Sequence, residues 1–184
     1  MAAVPETQMI VKRAADELEA LFRDHHHRVI STAYRITGSL ADAEDVAQSV
    51  FLRLARGEVD LSGVQNMGAY LHRTAVNAAL DLLRARRDSQ FSTLEDAGEL
   101  HSKNPSLSPD RMQHASETRE LLRKALARLH PRTAEMFVLR YIEDYDNREI
   151  AKVMKTSQAV VAVTLHRTRA RLKKDLRGLM RGRV

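Results

Sequence analysis

The stretch Asp146–Leu172, DNREIAKVMKTSQAVVAVTLHRTRARL, decides how the chain is read. A short apolar-periodic segment from about Arg148 to Met154 is followed by a tight turn. Ser157, a residue type whose hydroxyl satisfies free backbone amides, then opens a longer helix as its N-cap. Within that helix Val161, Leu165, Thr168 and Leu172 recur at steps of four, three and four, the spacing of one packed face. Two helices joined by a short turn, the second one basic, form a helix-turn-helix, whose second helix lays its N-terminal residues against base edges in the major groove. His166, Arg167, Arg169, Arg171, Lys173, Lys174 and Arg177 surround the apolar face in the second half. Cations there suit phosphates, which fix position without naming a sequence. The first half, Gln158 to Leu165, carries no charge.

The rest of the chain agrees with a helical, anion-binding protein. It has 184 residues, 43% hydrophobic and 29% charged, with seven Gly, four Pro and 4% aromatics. That composition favours helix over sheet. The formal charge of +6 fits an anionic partner. Cysteine is absent, which excludes disulfides, thiol catalysis and thiolate metal sites. No apolar run approaches the roughly 20 residues of a membrane span. The start MAAVPETQ lacks the basic and apolar parts of a signal peptide. A cytoplasmic, all-α protein is expected.

Three blocks separate along the chain. Leu18, Leu21, Phe22, His25, Val29, Ala33 and Ile36 mark a first helix, which Thr37-Gly38-Ser39 stops. A second follows with Ala43, Val46, Ala47, Val50 and Leu54 as its buried face. Gly57 to Gly68 reads as a loop, and a third helix from about Ala69 to Arg87 buries Leu71, Ala75, Ala78 and Leu82. DSQFSTLEDAGELHSKNPSLSPD, Asp88 to Asp110, has no period and is acidic, as a linker is. Helix resumes at Arg111, with one stripe of Leu121, Leu122, Ala125 and Leu129 broken at His130-Pro131. Ala134, Phe137, Val138 and Tyr141 form the next. The expected layout is two small helical domains, 1–88 and 111–184, joined by an acidic linker, 89–110.

Two faces of the first domain carry further chemistry. Asp42, Asp45, Gln48, Ser49 and Leu52 share a stripe of the second helix expected to be exposed. Acids in a first turn favour the helix dipole, but Gln48 and Leu52 extend the stripe beyond it, as a protein contact would. In the third helix Tyr70, Arg73, Asn77, Asp81 and Arg84 stand at steps of three, four, four and three. An aromatic stacks a base, Asn offers donor and acceptor, and Arg meets phosphate or a base edge. On these residues alone, a stand-alone helix-turn-helix regulator with a helical sensor domain fits as well. An enzyme built on the run His25-His26-His27 fits worse, since no HExxH or similar spacing accompanies it. Successive helical residues also point about 100° apart, a poor metal cage.

LFRDHHHRVISTAYRITGSLADAEDVAQSVFLRLAR, NMGAYLHRTAVNAALDLLRARRD and LHPRTAEMFVLRYIEDYDNREIAKVMKTSQAVVAVTLHRTRARL together resemble σ factors of bacterial RNA polymerase. The similarity is to the small extracytoplasmic-function (ECF) group of the σ-70 family, which keeps conserved regions 2 and 4, and it covers nearly the whole chain. It implies a non-enzymatic, cofactor-free initiation factor that binds core polymerase and directs promoter recognition and DNA melting. Asp42, Asp45, Gln48 and Phe51 are implied to meet the β′ clamp helices. Asn77, Asp81 and Arg84, with Tyr70 and Arg73, are implied to serve minus-ten recognition and opening, and Asn66 to hold an extruded base. The linker is implied to thread through the polymerase. The last domain is implied to bind the β flap and place Ser157, Gln158, Val160, Ala162, Val163, Thr164, His166, Arg167, Arg169 and Arg171 on the minus-thirty-five element. An anti-σ factor is a common partner in this family.

The chain departs from the family pattern in four places. Tyr70 stands where Trp is usual, His25-His26-His27 replaces an aromatic pair, and Lys155 occupies a turn position that often holds Gly. Ala159, Ala162 and Thr164 lie where Gly, Lys and Arg are common. Such a tip reads DNA only through amide or hydroxyl bonds and methyl contacts, so its minus-thirty-five preference is expected to differ from the family's commonest one or to discriminate less.

Overall fold

The structure, a computed structural model, describes residues 6–59, 61, 63–92 and 109–181. These form seven helices and, among the described residues, no strand: α1 Glu6–Thr37, α2 Leu40–Ala55, α3 Met67–Ser92, α4 Pro109–Ala127, α5 Pro131–Tyr141, α6 Asn147–Val153 and α7 Gln158–Arg181. None of them is long and apolar enough to cross a membrane. Most of the expected linker, 93–108, and the Arg177 side chain lie outside the described residues. The chain divides into two compact units, Met1–Ala79 and Leu80–Val184, the division falling inside α3.

In the first unit α1 and α2 pack on each other across a two-residue connection. Gly38 makes that turn at φ +72, where a Cβ would be strained, and its amide donates to Tyr34 O at 2.7 Å. Ser39 then caps α2, its hydroxyl accepting from the Asp42 amide at 3.4 Å. Val29, Ala33 and Ile36 of α1 and Ala43, Val46, Ala47 and Val50 of α2 are buried as their spacing demands. Phe22 departs from the expected face and is 47% exposed. Its ring stacks on His26 at 4.7 Å and meets the edge of Phe51 at 4.9 Å.

The third helix starts and ends beyond its expected limits. Asn66 caps it, with Oδ1 accepting from the Ala69 amide at 2.9 Å. Leu71 and Ala75 are buried as expected, while Ala78 and Leu82 are only half-buried. Val76, Ala79, Leu80 and Leu83 are buried instead.

In the second unit α4, α5 and α6 each pack on α7. The chain buries every α5 residue from Ala134 to Leu139, including Met136 and Leu139 outside the expected stripe. A helix covered on several sides loses its one-sided pattern, because no face remains to be polar. Tyr141 at its end is 45% exposed and tilts onto Phe137 at 4.6 Å. The short α6 is fixed by a capping box: Asp146 Oδ1 accepts from the Glu149 amide and Glu149 Oε2 from the Asp146 amide, both at 2.7 Å. Arg132 closes the other end, its Nη2 donating to Met154 O at 2.8 Å.

Candidate nucleic-acid and protein interfaces

The α6–turn–α7 segment forms the helix-turn-helix read from the sequence. Ile150, Ala151 and Met154 of α6 are buried, as are Val161, Leu165, Thr168 and Leu172 of α7, all four of the expected packing residues. Thr168 is polar yet tolerable there, since its hydroxyl donates to Thr164 O at 2.7 Å. The turn between the helices is tight enough to force Lys155 to φ +50. That left-handed conformation is where a glycine would cost least. Ser157 accepts from the Val160 amide at 3.3 Å, the N-cap its type suggested.

The buried stripe fixes what α7 presents outward. At about 100° per residue, Ala159, Val163, His166 and Arg167 fall roughly opposite Val161 and Leu165. All four are exposed. Val160, Thr164 and Arg171 line one flank, Gln158, Ala162 and Arg169 the other. Of these ten residues only Thr164 is half-buried. The second flank borders a shallow depression of about 220 Å³, to which Arg140, Tyr141, Asn147, His166 and Arg169 contribute. Arg140 was not among the residues singled out from sequence. Its Nη1 also donates to Tyr145 O at 2.9 Å, holding the segment between α5 and α6. The cation in LRY, ahead of the helix-turn-helix, was the signal that could have found it.

Helix α2 presents a narrower stripe than expected. Asp45, Gln48, Ser49 and Leu52 are exposed, Leu52 by 45%. Asp42, however, is only 3% exposed, which corrects its place on the exposed stripe. It lies one turn before Val46, close enough in angle to share the covered side. Phe51 is 7% exposed, held between the core and the Phe22 ring.

The polar residues of α3 are held in place as much as offered. Tyr70, Arg73, Asn77 and Arg84 are half-buried and Asp81 is exposed. Arg84 Nη1 donates to Asp81 Oδ1 at 2.5 Å, and the Arg84 side chain is 17% exposed. Its Nε and Nη2 are buried without a hydrogen-bond partner among the described residues. Asn66 stands exposed ahead of the helix with its carboxamide oxygen committed to the cap. Gly68, next to it, lies against α1: a Cβ there would sit 3.4 Å from His25 Cε1.

The three histidines go separate ways. His25 faces the start of α3, His26 Nδ1 bonds Phe22 O at 2.9 Å, and the His27 ring tilts against His26 at 3.9 Å. Among the described residues, no three His, Asp or Glu side chains are grouped to share a metal ion.

Comparison with known proteins assigns both halves. The family model for σ-70 region 2 matches residues 21–89, and that for σ-70 region 4 matches residues 119–172. The chain is 30% identical to the RNA polymerase sigma-E factor of Streptomyces avermitilis, over 87% of this chain and 85% of that protein. It is 26% identical to the RNA polymerase sigma factor YlaC of Bacillus subtilis, over 88% of this chain and 92% of that one. With the ECF sigma factor SigE of Mycolicibacterium smegmatis the identity is 32% over 84% of this chain, which spans only 60% of that relative. Among solved structures, the extracytoplasmic function sigma factor SigJ of Mycobacterium tuberculosis is 26% identical with a TM-score of 0.44, covering 85% of this chain and 52% of that one. With region 2 and region 4 in this order and a relative matched over most of both chains, the protein belongs to the ECF group of the σ-70 family of RNA polymerase σ factors.

Proposed function

We propose a division of work for a chain that, as a σ factor, directs promoter recognition by RNA polymerase and is no enzyme itself. In this reading residues 1–88 grip core polymerase and open the minus-ten element, 111–184 anchor the minus-thirty-five element, and 89–110 connect them. Asp45, Gln48 and Leu52 supply the exposed contact to the β′ clamp helices. Asp42 and Phe51 support α2 from beneath rather than reach across, because both are buried. Tyr70, Arg73 and Asn77 meet the minus-ten strand, with Asn66 at the mouth of the loop and Asp81 orienting Arg84. Extruding a base costs a few kcal/mol, which stacking on Tyr70 and polar contacts would offset. The exposed residues between Ser157 and Arg171 face the upstream duplex, the cations on phosphate and the tip on bases. The β flap would dock on the second unit. An anti-σ factor would act by competing for the same chain, and the setting is the cytoplasm, where polymerase and DNA meet.

The single observation that carries this reading is the outward face of α7: exposed cations beside an exposed uncharged tip, on a helix seated by α6 in helix-turn-helix geometry. A stand-alone helix-turn-helix regulator would not need the exposed α2 stripe. Reconstitution separates the two. Added to core polymerase, the chain is expected to form a complex that starts transcripts at defined promoters. Failure to associate with core, together with tight duplex binding by the free chain, overturns the σ assignment of roles.

A further inference from the structure

The tip of α7 exposes aliphatic surface where a reader of DNA commonly shows charge or amides. Val160 and Val163 are each 49% exposed, and Ala159 and Ala162 beside them are exposed too. Val163 stands almost opposite the buried Val161–Leu165 stripe, so it points away from the packed face. No side chain from Ser157 to Leu165 is charged, so none offers the guanidinium or ammonium that pairs with guanine O6 and N7. Valine can neither donate nor accept a hydrogen bond. In the major groove the one base-edge group that matches it is the C5 methyl of thymine.

The surroundings say what occupies this surface. His166, Arg167, Arg169 and Arg171 follow at once, all exposed and spread over both flanks and the centre of the outward face. An apolar tip framed by cations complements a polyanion that also carries methyl groups, which is duplex DNA, better than an apolar peptide groove. Gln158, the one amide at the tip, is exposed on the Ala162 flank and suits adenine N6 and N7. We propose that Val163, with Ala159 and Val160 beside it, reads thymine methyl groups in the upstream promoter element, so that this σ factor selects A·T pairs there by methyl contact. This deepens the minus-thirty-five reading above and rests on it.

The test uses the full chain with core polymerase. Selection from promoters randomised in the upstream element is expected to return thymine at one or more fixed positions. Each selected thymine is then replaced by uracil, which removes the methyl and leaves base pairing intact. At the contacted position the holoenzyme should bind about fourfold more weakly, the ratio matching about 0.8 kcal/mol for one buried methyl-sized group. With Val163→Ala, an exposed change to a strong helix former that leaves the fold alone, that uracil penalty should vanish while the salt dependence of binding stays the same. Selected elements without thymine overturn the proposal, as does a uracil penalty equal in the wild-type and V163A holoenzymes. So does a V163A chain that loses core polymerase instead, which would make the tip a protein contact. If no promoter fires with the wild-type chain, the σ reading itself fails, an outcome distinct from these.

Discussion

Helices α3 and α7 carry the residues assigned to the two promoter elements, and they hold them in contrasting ways. On α7 the packing face and the presenting face are separate: four buried residues seat the helix, and of the ten residues assigned to DNA only Thr164 is even half-buried. On α3 the two jobs overlap. Four of its five polar residues are half-buried, and Arg84 is tied to Asp81 with most of its side chain covered. A helix of the first kind can change its recognition residues without disturbing its seat. The second kind is less free to do so, because four of its five polar side chains are also part of the local packing. That contrast gives a physical reason why α7 tolerates an altered tip, with Ala159, Ala162 and Thr164 away from the buried stripe.

The largest expected effect attacks the seat of α7. Ile150 is fully buried in α6, and α6 packs on α7. Ile150→Ala should cost about 2–5 kcal/mol, by lost transfer energy and the cavity left behind. Denaturant melts would show it as a lower midpoint, and binding to the upstream element should weaken with it. An unchanged midpoint would mean that α6 does not hold the recognition helix.

Next comes charge, where the two helices should part company. Arg167→Gln with Arg169→Gln touches only exposed positions of α7. Stability is expected to stay within about 0.5 kcal/mol of wild type. Promoter binding should lose two phosphate contacts, lowering the slope of log affinity against log salt by about 2. The counterpart on α3 is Asp81→Ala, which removes the Arg84 partner. It should lower stability by about 0.5–1 kcal/mol while slowing strand opening. If the α7 pair destabilises the fold, or the α3 change leaves it untouched, the contrast between the two helices is wrong.

How far the sequence reveals this arrangement follows the same division. The α7 face was legible residue by residue, because Val161, Leu165, Thr168 and Leu172 recur at steps of four, three and four and only that side is buried. Gly38 and Ser157 were legible from local chemistry alone, and the strain at Lys155 from the family resemblance, in which that turn position often holds Gly. Less could be read where a helix is covered on several sides. In α5 the burial of Met136 and Leu139 depends on partners that no periodicity encodes. In α2 the charge of Asp42 suggested solvent, whereas its angle, one turn before Val46, put it on the covered side. The extension of α3 to Ser92 runs through DSQFS, which has no apolar period to announce a helix. The cap at Asn66 was masked by its assignment to a base-holding loop, though Asn ahead of a helical run is itself an N-cap signal.

The smallest effect concerns the turn that joins the two helices of the reader. Lys155 sits at φ +50, where an L side chain crowds its own backbone at a cost of roughly 1–2 kcal/mol. Lys155→Gly relieves that crowding. Glycine also gains freedom in the unfolded chain, which takes back about 0.5–1 kcal/mol. The net expectation is a gain of about 0.5–1 kcal/mol, read as a higher denaturation midpoint with an unchanged denaturant slope. Lys155 is exposed and precedes the α7 N-cap, so the variant also removes one cation near the proposed DNA face. If that cation meets phosphate, the salt slope of promoter binding drops by about 0.9 as stability rises. If the slope holds, Lys155 is there at a cost in stability with no contact to DNA in return, and the presenting surface of α7 begins at Ser157.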